Sequence, residues 1–279
     1  MVAFPNCKIN LGLHIVRKRD DGYHDLETIF YPLPVNDVLE VVREETGSLK
    51  SEVGNTAMDF HLSGLPVQGA TTNNLCVKAY ELLKKDFPQL PALQMYLHKV
   101  IPMGAGLGGG SADGAFTLQL LNDKFQLQIP REKLLQYALQ LGSDCPFFII
   151  NQPCYASGRG EILQPVQLNL SACSFLLINP GVHVNTGWAF SQLTPAPAPQ
   201  LLTTIIQQPV TNWPALLHND FEVPVMAHHP ELKAIKDKLY EKGALYASMT
   251  GSGSSFYGIF PKNQVPQTDW PSAYKVFTC

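Results

Sequence analysis

The sequence predicts an α+β protein with two lobes. Strand and helix patterns are mixed along the chain without the regular alternation of a doubly wound sheet. A strand pattern at residues 93–101 runs directly into a glycine-rich stretch that opens a helix. After about residue 155 strands and helices return with different local signals. We therefore expect an N-terminal lobe over residues 1–155, a smaller C-terminal lobe over residues 156–279, and an active site in a cleft between the lobes.

Composition limits the class of partner. Of the 279 residues, 45% are apolar and 15% are charged, and the net charge is −3. This balance is typical of a folded globular protein and predicts no nucleic-acid or membrane partner. The six cysteines form no Cys-x-x-Cys pair, which predicts free thiols in a reducing compartment. With no signal-peptide pattern and no apolar run of membrane-spanning length, a cytoplasmic, small-molecule protein is expected. The oligomeric state is left open.

The N-terminal half begins with a clear strand pattern. Ile9, Leu11, Leu13 and Ile15 alternate with polar residues or glycine, which predicts a strand with one buried face. Hydrophobic periodicity, prolines and helix-capping residues predict the further elements. A turn is expected at 17–22, followed by strands at 23–33 and 37–42 that are separated by Pro32 and Pro34. A strand at 58–62, a helix at 73–87 capped by Asn73 or Asn74, and the strand at 93–101 complete this half.

The remaining elements are predicted in the same way. They are a helix at 131–141 ended by Gly142, a tight turn at 143–146 with buried structure at 147–150, a strand at 174–178, a proline-rich loop at 195–199, a helix at 230–243, and strands at 244–249 and 256–260 that flank a glycine- and serine-rich loop at 250–255.

The stretch 102–115 carries the first functional signal. Five of the seven residues from Gly104 to Gly110 are glycine, and Ser111 or Asp113 could cap or begin the following helix. A glycine-rich loop at a helix N-terminus presents N–H donors and a positive dipole end, which suit a phosphate chain. The alternative is a flexible surface loop.

The kind of phosphate ligand follows from what the loop lacks. Gly104, Gly106 and Gly109 formally fit a dinucleotide-binding spacing, but no second strand with a terminal acidic residue follows. A P-loop ending in Gly-Lys-Ser/Thr is also absent. A nucleoside triphosphate held by backbone N–H groups is favoured, with the Ser111 hydroxyl directed to a phosphate or to Mg²⁺.

The sequence resembles the GHMP kinases (galacto-, homoserine, mevalonate and phosphomevalonate kinases). The resemblance rests on Pro-Met-Gly-Ala-Gly-Leu-Gly-Gly-Gly-Ser-Ala-Asp from Pro102, on Thr-Gly-Ser-Gly-Ser from Thr250, and on His218-Asn219-Asp220-Phe221. Lys8-Ile9-Asn10-Leu11, the stretch from Asp21 to Thr28, and Leu141–Phe148 resemble the branch that phosphorylates a cytidine-diphosphate-linked methylerythritol in isoprenoid precursor synthesis. The matches occur in order along nearly the whole chain.

The resemblance implies transfer of the ATP γ-phosphoryl group to a tertiary hydroxyl. Asp144 matches the catalytic aspartate, a general base, and Lys8 matches the active-site lysine. From the residues alone, Asp144 also fits an ordinary turn aspartate and Lys8 a solvated strand lysine. Tyr23 and His24 match the cytosine site, with Asn10, Thr186 and Phe190 as further substrate contacts.

ATP and Mg²⁺ are the implied co-substrate and metal. The expected ATP site comprises the glycine loop and three purine-pocket residues: Pro102, Met103, Gly104, Ala105, Gly106, Leu107, Gly108, Gly109, Gly110, Ser111, Ala112, Asn74, Leu75 and Lys99. No metal ligand is identified beyond Ser111. Cys7 and Ser143 depart from the alanines usual before the lysine and the aspartate, and Cys7 would make the site thiol-sensitive. A kinase for another alcohol and a non-catalytic nucleotide-binding protein remain as alternatives.

Overall fold

A computed structural model of the protein describes residues 1–43, 58–67, 69–267 and 269–279. The strands, in chain order, are β1 (Val2–Ala3), β2 (Asn6–Lys18), β3 (His24–Asn36), β4 (Val38–Arg43), β5 (Met58–Gly64), β6 (Leu93–Lys99), β7 (Cys154–Ser157), β8 (Ile162–Pro165), β9 (Cys173–Asn179), β10 (Tyr246–Met249), β11 (Phe256–Pro261) and β12 (Lys275–Thr278).

The helices complete an α+β fold, as predicted. They are α1 (Leu75–Asp86), α2 (Gly109–Lys124), α3 (Arg131–Leu141), α4 (Cys145–Ile150), α5 (Thr186–Ser191), α6 (Leu202–Ile205), α7 (Trp213–Leu216), α8 (Glu222–His228) and α9 (Pro230–Glu241). Among the helices of the described residues, none combines the length and hydropathy that a bilayer-spanning segment needs. All six cysteines are free thiols, which confirms that prediction.

The chain divides into two compact units built from interleaved segments. The first unit contains Met1–Cys7, Pro34–Met103 and Gly108–Asn151, and the second contains Lys8–Leu33, Gly104–Leu107 and Gln152–Cys279. The chain therefore changes unit twice within the glycine loop. The predicted lobe boundary after residue 155, and the cleft, stay predictions.

The first unit is a sheet covered on one face by helices. Its strand order is β1-β4-β6-β5, with β5 parallel to β6 and the other pairs antiparallel. Leu93, Met95 and Leu97 of β6 are buried, whereas Tyr96 and His98 are exposed, so one face of the sheet meets the core. Helices α1 and α2 pack closely where Gly114 of α2 would bring a Cβ within 2.9 Å of Leu75 Cβ.

The second unit contains an antiparallel sheet in the order β10-β11-β9-β12, with α8 and α9 contributing to its core. Most of a second sheet, β2-β3-β7-β8, also belongs to this unit. The shared core is built from strand and helix side chains such as Ile178, Phe256, Leu232, Ile235 and Leu239. Burial of this apolar surface is the main driving force for folding of the unit.

Several predicted elements are confirmed nearly to the residue. Helix α3 spans 131–141 and ends at Gly142, as the sequence indicates. Helix α1 is capped by Asn74, whose side chain accepts a hydrogen bond from the Cys76 N–H at 2.9 Å. The strands at 58–62, 93–101, 174–178, 244–249 and 256–260 are present with small shifts of their ends.

Strand β2 is buried on both faces, so the predicted half-buried strand is wrong. Lys8, Asn10 and His14 are 4%, 2% and 4% exposed. Hydrogen bonds to the polar side chains explain this, since buried polar groups are tolerated when they have partners. Gly12, with φ +69°, continues that face, and a Cβ there would lie 2.7 Å from the side chain of Leu217. Alternation identified the strand but not what covers it.

Strand β3 passes through Pro32 and Pro34, so the predicted break at these prolines is wrong. The pairing of β3 with β7 covers Thr28 to Phe30. On that side the prolines lie beyond the paired residues and remove no hydrogen bond from the ladder. The chain turns instead at Asp37, between β3 and β4.

The starts of α2 and α4 also differ from prediction. Helix α2 begins at Gly109, and its N-cap is Gly108 with φ +71°, not Ser111 or Asp113. A left-handed cap favours glycine, and the Asp113 carboxylate is directed instead to Lys99. The predicted turn at 143–146 is shorter, because Cys145 and Pro146 already form the first turn of α4, where proline is well tolerated.

Candidate active site

In the second unit, the Lys8 ammonium is buried and held in place. Its Nζ donates to Asn10 Oδ1 at 2.8 Å and lies 4.5 Å from the centroid of the Phe30 ring. The Lys8 backbone N–H donates to the carbonyl oxygen of Leu107 in the glycine loop, at 3.0 Å. A solvated strand lysine would have an exposed head group, so that interpretation of Lys8 is wrong.

Asn10 connects Lys8 to the loop at 250–255. Its Oδ1 also accepts from the Gly251 N–H at 3.0 Å and lies 3.1 Å from Thr250 Oγ1. Its Nδ2 donates to Thr28 Oγ1 at 3.0 Å. Both polar atoms of the side chain thus have protein partners, and the predicted substrate contact of Asn10 stays a prediction.

The glycine loop meets the loop at 250–255 through Gly106. Thr250 Oγ1 donates to the Gly106 carbonyl oxygen at 3.0 Å. A Cβ at Gly106, where φ is +77°, would overlap the Thr250 carbonyl oxygen and lie 2.8 Å from its carbonyl carbon. Gly104, by contrast, has φ +65° and open space where a Cβ would stand. The glycines therefore serve different purposes, and Gly106 permits contact between two loops.

Tyr23 and His24 lie at the end of a turn braced by ion pairs. Arg19 binds Asp21 and Asp25, and the Tyr23 N–H donates to Asp21 Oδ1 at 3.1 Å. The hydrogen bond from Arg19 lowers the pKa of Asp21, so the carboxylate stays charged at neutral pH.

The aromatic rings of Tyr23, His24 and Phe190 contact different neighbours in the structure. Tyr23 is 56% exposed, with the Arg159 guanidinium 5.0 Å from its ring centroid. His24 stacks on Phe190 with centroids 4.8 Å apart. Thr186 Oγ1 lies 3.1 Å from Ser252 Oγ, which ties α5 to the loop at 250–255. The structure thus brings His24 and Phe190 together, and their roles toward cytosine stay predictions.

In the first unit, the start of α2 meets the segment that carries Asp144. Ser111 forms a side-chain hydrogen bond with the Cys145 thiol. Burial, reinforced by the charge of Asp144, raises the pKa of Cys145 to about 12, so this thiol is not ionised at neutral pH. Asp144 is half-buried at the N-cap position of α4, yet its side chain does not cap the helix. A capping role therefore does not explain this aspartate.

Lys99 lies in a buried charge cluster. Its Nζ forms ion pairs with Asp37 and, at 2.7 Å, with Asp113, and these side chains have little or no exposure. Asp37 Oδ1 accepts the N–H groups of Val100 and Ile101 at 2.6 and 2.9 Å. The cluster joins the chain entering the glycine loop to helix α2 that leaves it. A purine contact by Lys99 stays a prediction, and such a contact would have to leave the ion pairs with Asp37 and Asp113 intact.

The protonation state of the Asp113 carboxyl makes the stability of the fold depend on pH. Burial, outweighing the attraction of Lys99, raises the pKa of Asp113 from 3.8 to about 8. A carboxyl with a raised pKa in the folded state stabilises the fold below its unfolded pKa, and this contribution is lost as pH rises through the folded pKa. Between about pH 4 and pH 8 the Asp113 contribution therefore declines with rising pH.

We expect Asp113→Asn to remove this pH dependence. The gap in thermal midpoint between wild type and Asp113→Asn should narrow from pH 5 to pH 9, measured by circular dichroism. Asp123→Asn, an exposed aspartate of the same helix, is the matched control and should show a constant gap. A gap that is equally constant for Asp113→Asn would show that Asp113 titrates normally.

The other predicted purine-pocket residues have structural roles. Asn74 caps α1, and Leu75 packs against Gly114.

Among the described residues, no group of three or more His, Cys, Asp or Glu side chains could hold a metal ion. Lys8 belongs to the second unit and Asp144 to the first, so the meeting of their side chains stays a prediction.

Four residues that hold these loops in place were not predicted as site residues. Asp37 and Asp113 brace the glycine loop, and Thr250 and Asn219 fix the loop at 250–255. Asp113, Asn219 and Thr250 lie within the stretches that resemble the GHMP kinases, and this resemblance was the only sequence signal that pointed to them. Asp37 follows a proline-rich strand and has no local motif.

Known proteins are similar to this chain over almost its full length. The family models "GHMP kinases N terminal domain" and "GHMP kinases C terminal" match residues 74–152 and 206–268. The 4-diphosphocytidyl-2-C-methyl-D-erythritol kinase of Bacteroides fragilis is 48% identical over 98% of this chain and 97% of its own. The enzyme of that name from Cytophaga hutchinsonii is 42% identical over 100% of this chain and 98% of its own.

Solved structures give the same result. A crystal structure of 4-(cytidine 5'-diphospho)-2C-methyl-D-erythritol kinase has a TM-score of 0.76 and 29% identity, covering 93% of this chain and 90% of that chain. The mevalonate kinase of Methanococcus jannaschii has a TM-score of 0.61 at 13% identity, covering 95% and 92%, which shows a shared fold.

The chain belongs to the GHMP kinases, ATP-dependent kinases of small molecules. Within that family, the relatives at 42–48% identity named above are 4-diphosphocytidyl-2-C-methyl-D-erythritol kinases. The resemblance identified from the sequence is thereby confirmed, and the dinucleotide-like glycine spacing is incidental.

Proposed function

We propose that this kinase transfers the γ-phosphoryl group of ATP to the tertiary hydroxyl at position 2 of 4-diphosphocytidyl-2-C-methyl-D-erythritol. The products are the 2-phosphate and ADP, and the reaction belongs to the synthesis of isopentenyl diphosphate by the methylerythritol phosphate pathway. The similarity to enzymes of that name over 98% of the chain supports this substrate. The free state of all six cysteines supports action in the cytoplasm.

The buried, oriented ammonium of Lys8 is the observation that carries a catalytic rather than a merely nucleotide-binding function. Burying and orienting a lysine costs desolvation and side-chain entropy. The hydrogen bond to Asn10 and the cation–π contact with the Phe30 ring offset this free-energy cost. A fixed cation stabilises charge on a reacting oxygen without reorganisation during the reaction.

In the proposed reaction, Asp144 takes the proton of the substrate hydroxyl. The hydroxyl oxygen forms a bond to the γ-phosphorus, and the bond from that phosphorus to the bridging oxygen of ADP breaks, so that ADP leaves. Lys8 stabilises negative charge on the attacking oxygen. Gly104–Ser111 bind the ATP phosphates through backbone N–H groups, and Tyr23, His24 and Phe190 hold the cytosine.

Mg²⁺ would arrive with the ATP phosphates and neutralise part of their charge. A magnesium ion bound chiefly by phosphates and water needs one or two protein oxygens rather than a protein cage. This requirement agrees with the lack of a metal-binding cluster in the described residues. The Ser111 hydroxyl, at the start of α2, is the protein ligand that we propose.

Acceptor specificity tests the proposal directly. ADP release from MgATP should be observed with the cytidyl substrate, and not with mevalonate, homoserine or galactose at equal concentrations. Turnover confined to one of the other three alcohols would reassign the enzyme within its family, and ATP binding without any turnover would indicate a non-catalytic protein.

We expect Tyr23→Ala to raise the KM for the cytidyl substrate by about tenfold or more, the scale of a lost base–aromatic stack. The ring is 56% exposed, so the fold should be little affected. The KM for ATP should be unchanged in steady-state assays. Tyr96→Ala, which removes an exposed ring of β6, is the control. An effect on ATP alone would assign Tyr23 to the nucleotide pocket instead.

A further inference from the structure

Asn219 has a buried side-chain amide whose nitrogen and oxygen are both hydrogen-bonded within the protein. It is 3% exposed, and its Nδ2 donates to the carbonyl oxygens of Met249 at 2.8 Å and Gly251 at 2.9 Å. Its Oδ1 accepts from the Phe221 N–H at 3.0 Å. Only an amide supplies two donors and an acceptor in this arrangement. Asn219 thus fixes the carbonyls on either side of Thr250.

The segment that carries Asn219 is anchored to β2. The Leu13 N–H donates to the His218 carbonyl oxygen at 2.9 Å, and the Asp220 N–H donates to the Leu13 carbonyl oxygen at 2.9 Å. The Asp220 carboxylate also accepts the Ile15 N–H at 2.8 Å. Asn219 is therefore held in register with the strand on which Lys8 and Asn10 stand.

A short chain of hydrogen bonds leads from Asn219 to the ammonium of Lys8. Asn219 binds the Gly251 carbonyl oxygen, the Gly251 N–H donates to Asn10 Oδ1, and Asn10 Oδ1 accepts from Lys8 Nζ. Gly251 has φ +58°, and a Cβ there would lie 2.9 Å from Gly106 Cα. The loop therefore fits its place only in a narrow range of positions.

We propose that Asn219 is a positioning residue for phosphoryl transfer, which acts through Gly251 and Asn10 to fix the Lys8 ammonium. The inference rests on the proposed function, because it takes Lys8 as the catalytic cation. If Asn219 is lost, Gly251 can move, Asn10 loses a donor that orients its oxygen, and the ammonium gains freedom. Small misplacements of a catalytic group are costly, because the reaction depends on close alignment.

The test uses Asn219→Asp, which keeps the size and the acceptor but turns a carboxylate oxygen toward two carbonyls. We expect kcat with MgATP and the cytidyl substrate to fall about tenfold or more. Ser248→Ala is the matched control: it removes the buried hydrogen bond from Ser248 of β10 to Glu222 of α8, and Ser248 has no hydrogen bond to Gly251 or Asn10. Its kcat should stay near that of wild type. If Asn219→Asp does not fold, Asn219→Ser replaces it.

A double-mutant cycle with Lys8→Met distinguishes positioning from general support of the fold. If Asn219 acts through Lys8, Asn219→Asp should lower kcat little further in the Lys8→Met enzyme. An equal fold-loss in both backgrounds, or a kcat like that of Ser248→Ala, would overturn the inference. A wild-type enzyme inactive on the cytidyl substrate would overturn the proposed function instead, and the same cycle would then be run on the alcohol that it does phosphorylate.

Discussion

Asp144→Asn is expected to lower kcat at least about a hundredfold, the scale of a lost general base. Asparagine has nearly the same shape but cannot take the proton of the substrate hydroxyl. The side chain does not cap α4, so the change removes no helix-capping hydrogen bond. ATP binding, measured by calorimetry, should be retained, since the loop that binds the phosphates is unchanged.

The control is Asp123→Asn, which makes the same change of charge at an exposed position in α2. Its kcat should equal that of wild type. Near-normal turnover in the Asp144→Asn enzyme would remove Asp144 from the role of base and favour the turn-forming interpretation. A parallel loss of ATP binding would mean that Asp144 serves the nucleotide instead.

Gly106→Ala is expected to produce the second large effect, on ATP. Its Cβ would overlap the Thr250 carbonyl oxygen and lie 2.8 Å from the carbonyl carbon, so one loop must move. Backbone cannot yield as a flexible side chain does, and the glycine loop would be displaced from its phosphate-binding geometry. We expect the KM for ATP to rise by about tenfold or more.

Gly181→Ala separates this clash from backbone strain. Gly181 has φ +76°, against +77° at Gly106, but open space where a Cβ would stand. Its alanine variant carries the left-handed penalty, about 1–2 kcal/mol, without a collision. Its KM for ATP should match that of wild type. Equal effects of the two substitutions would show that strain alone explains the loss at Gly106.

Local patterns were reliable where short-range physics decides structure. The apolar spacing and the terminal Gly142 predicted the ends of α3, and of the two predicted caps of α1, Asn73 and Asn74, the structure has Asn74. Prolines were misleading in β3, because their effect depends on whether a neighbouring strand needs the missing N–H. That neighbour cannot be read from the local sequence.

Burial was the least predictable property of the site. Lys8 and Asn10 looked like the polar face of a half-buried strand, yet they are 4% and 2% exposed. Their cover comes partly from Thr250 and Gly251, some 240 positions away. Periodicity reports a strand's own alternation and carries no information on such distant partners.

The sequence by itself determined the class of protein and its reaction type and predicted the main site residues, because the glycine loop, Lys8, Tyr23, His24 and Asp144 occur within motifs that are local in the chain. The tertiary structure alone decided how these groups are held. Asp37, Lys99 and Asp113 form one buried ion cluster, and Asn219 reaches Asn10 through Gly251. The physical reason is that charge pairing and hydrogen bonding depend on proximity in space, which only the folded chain defines.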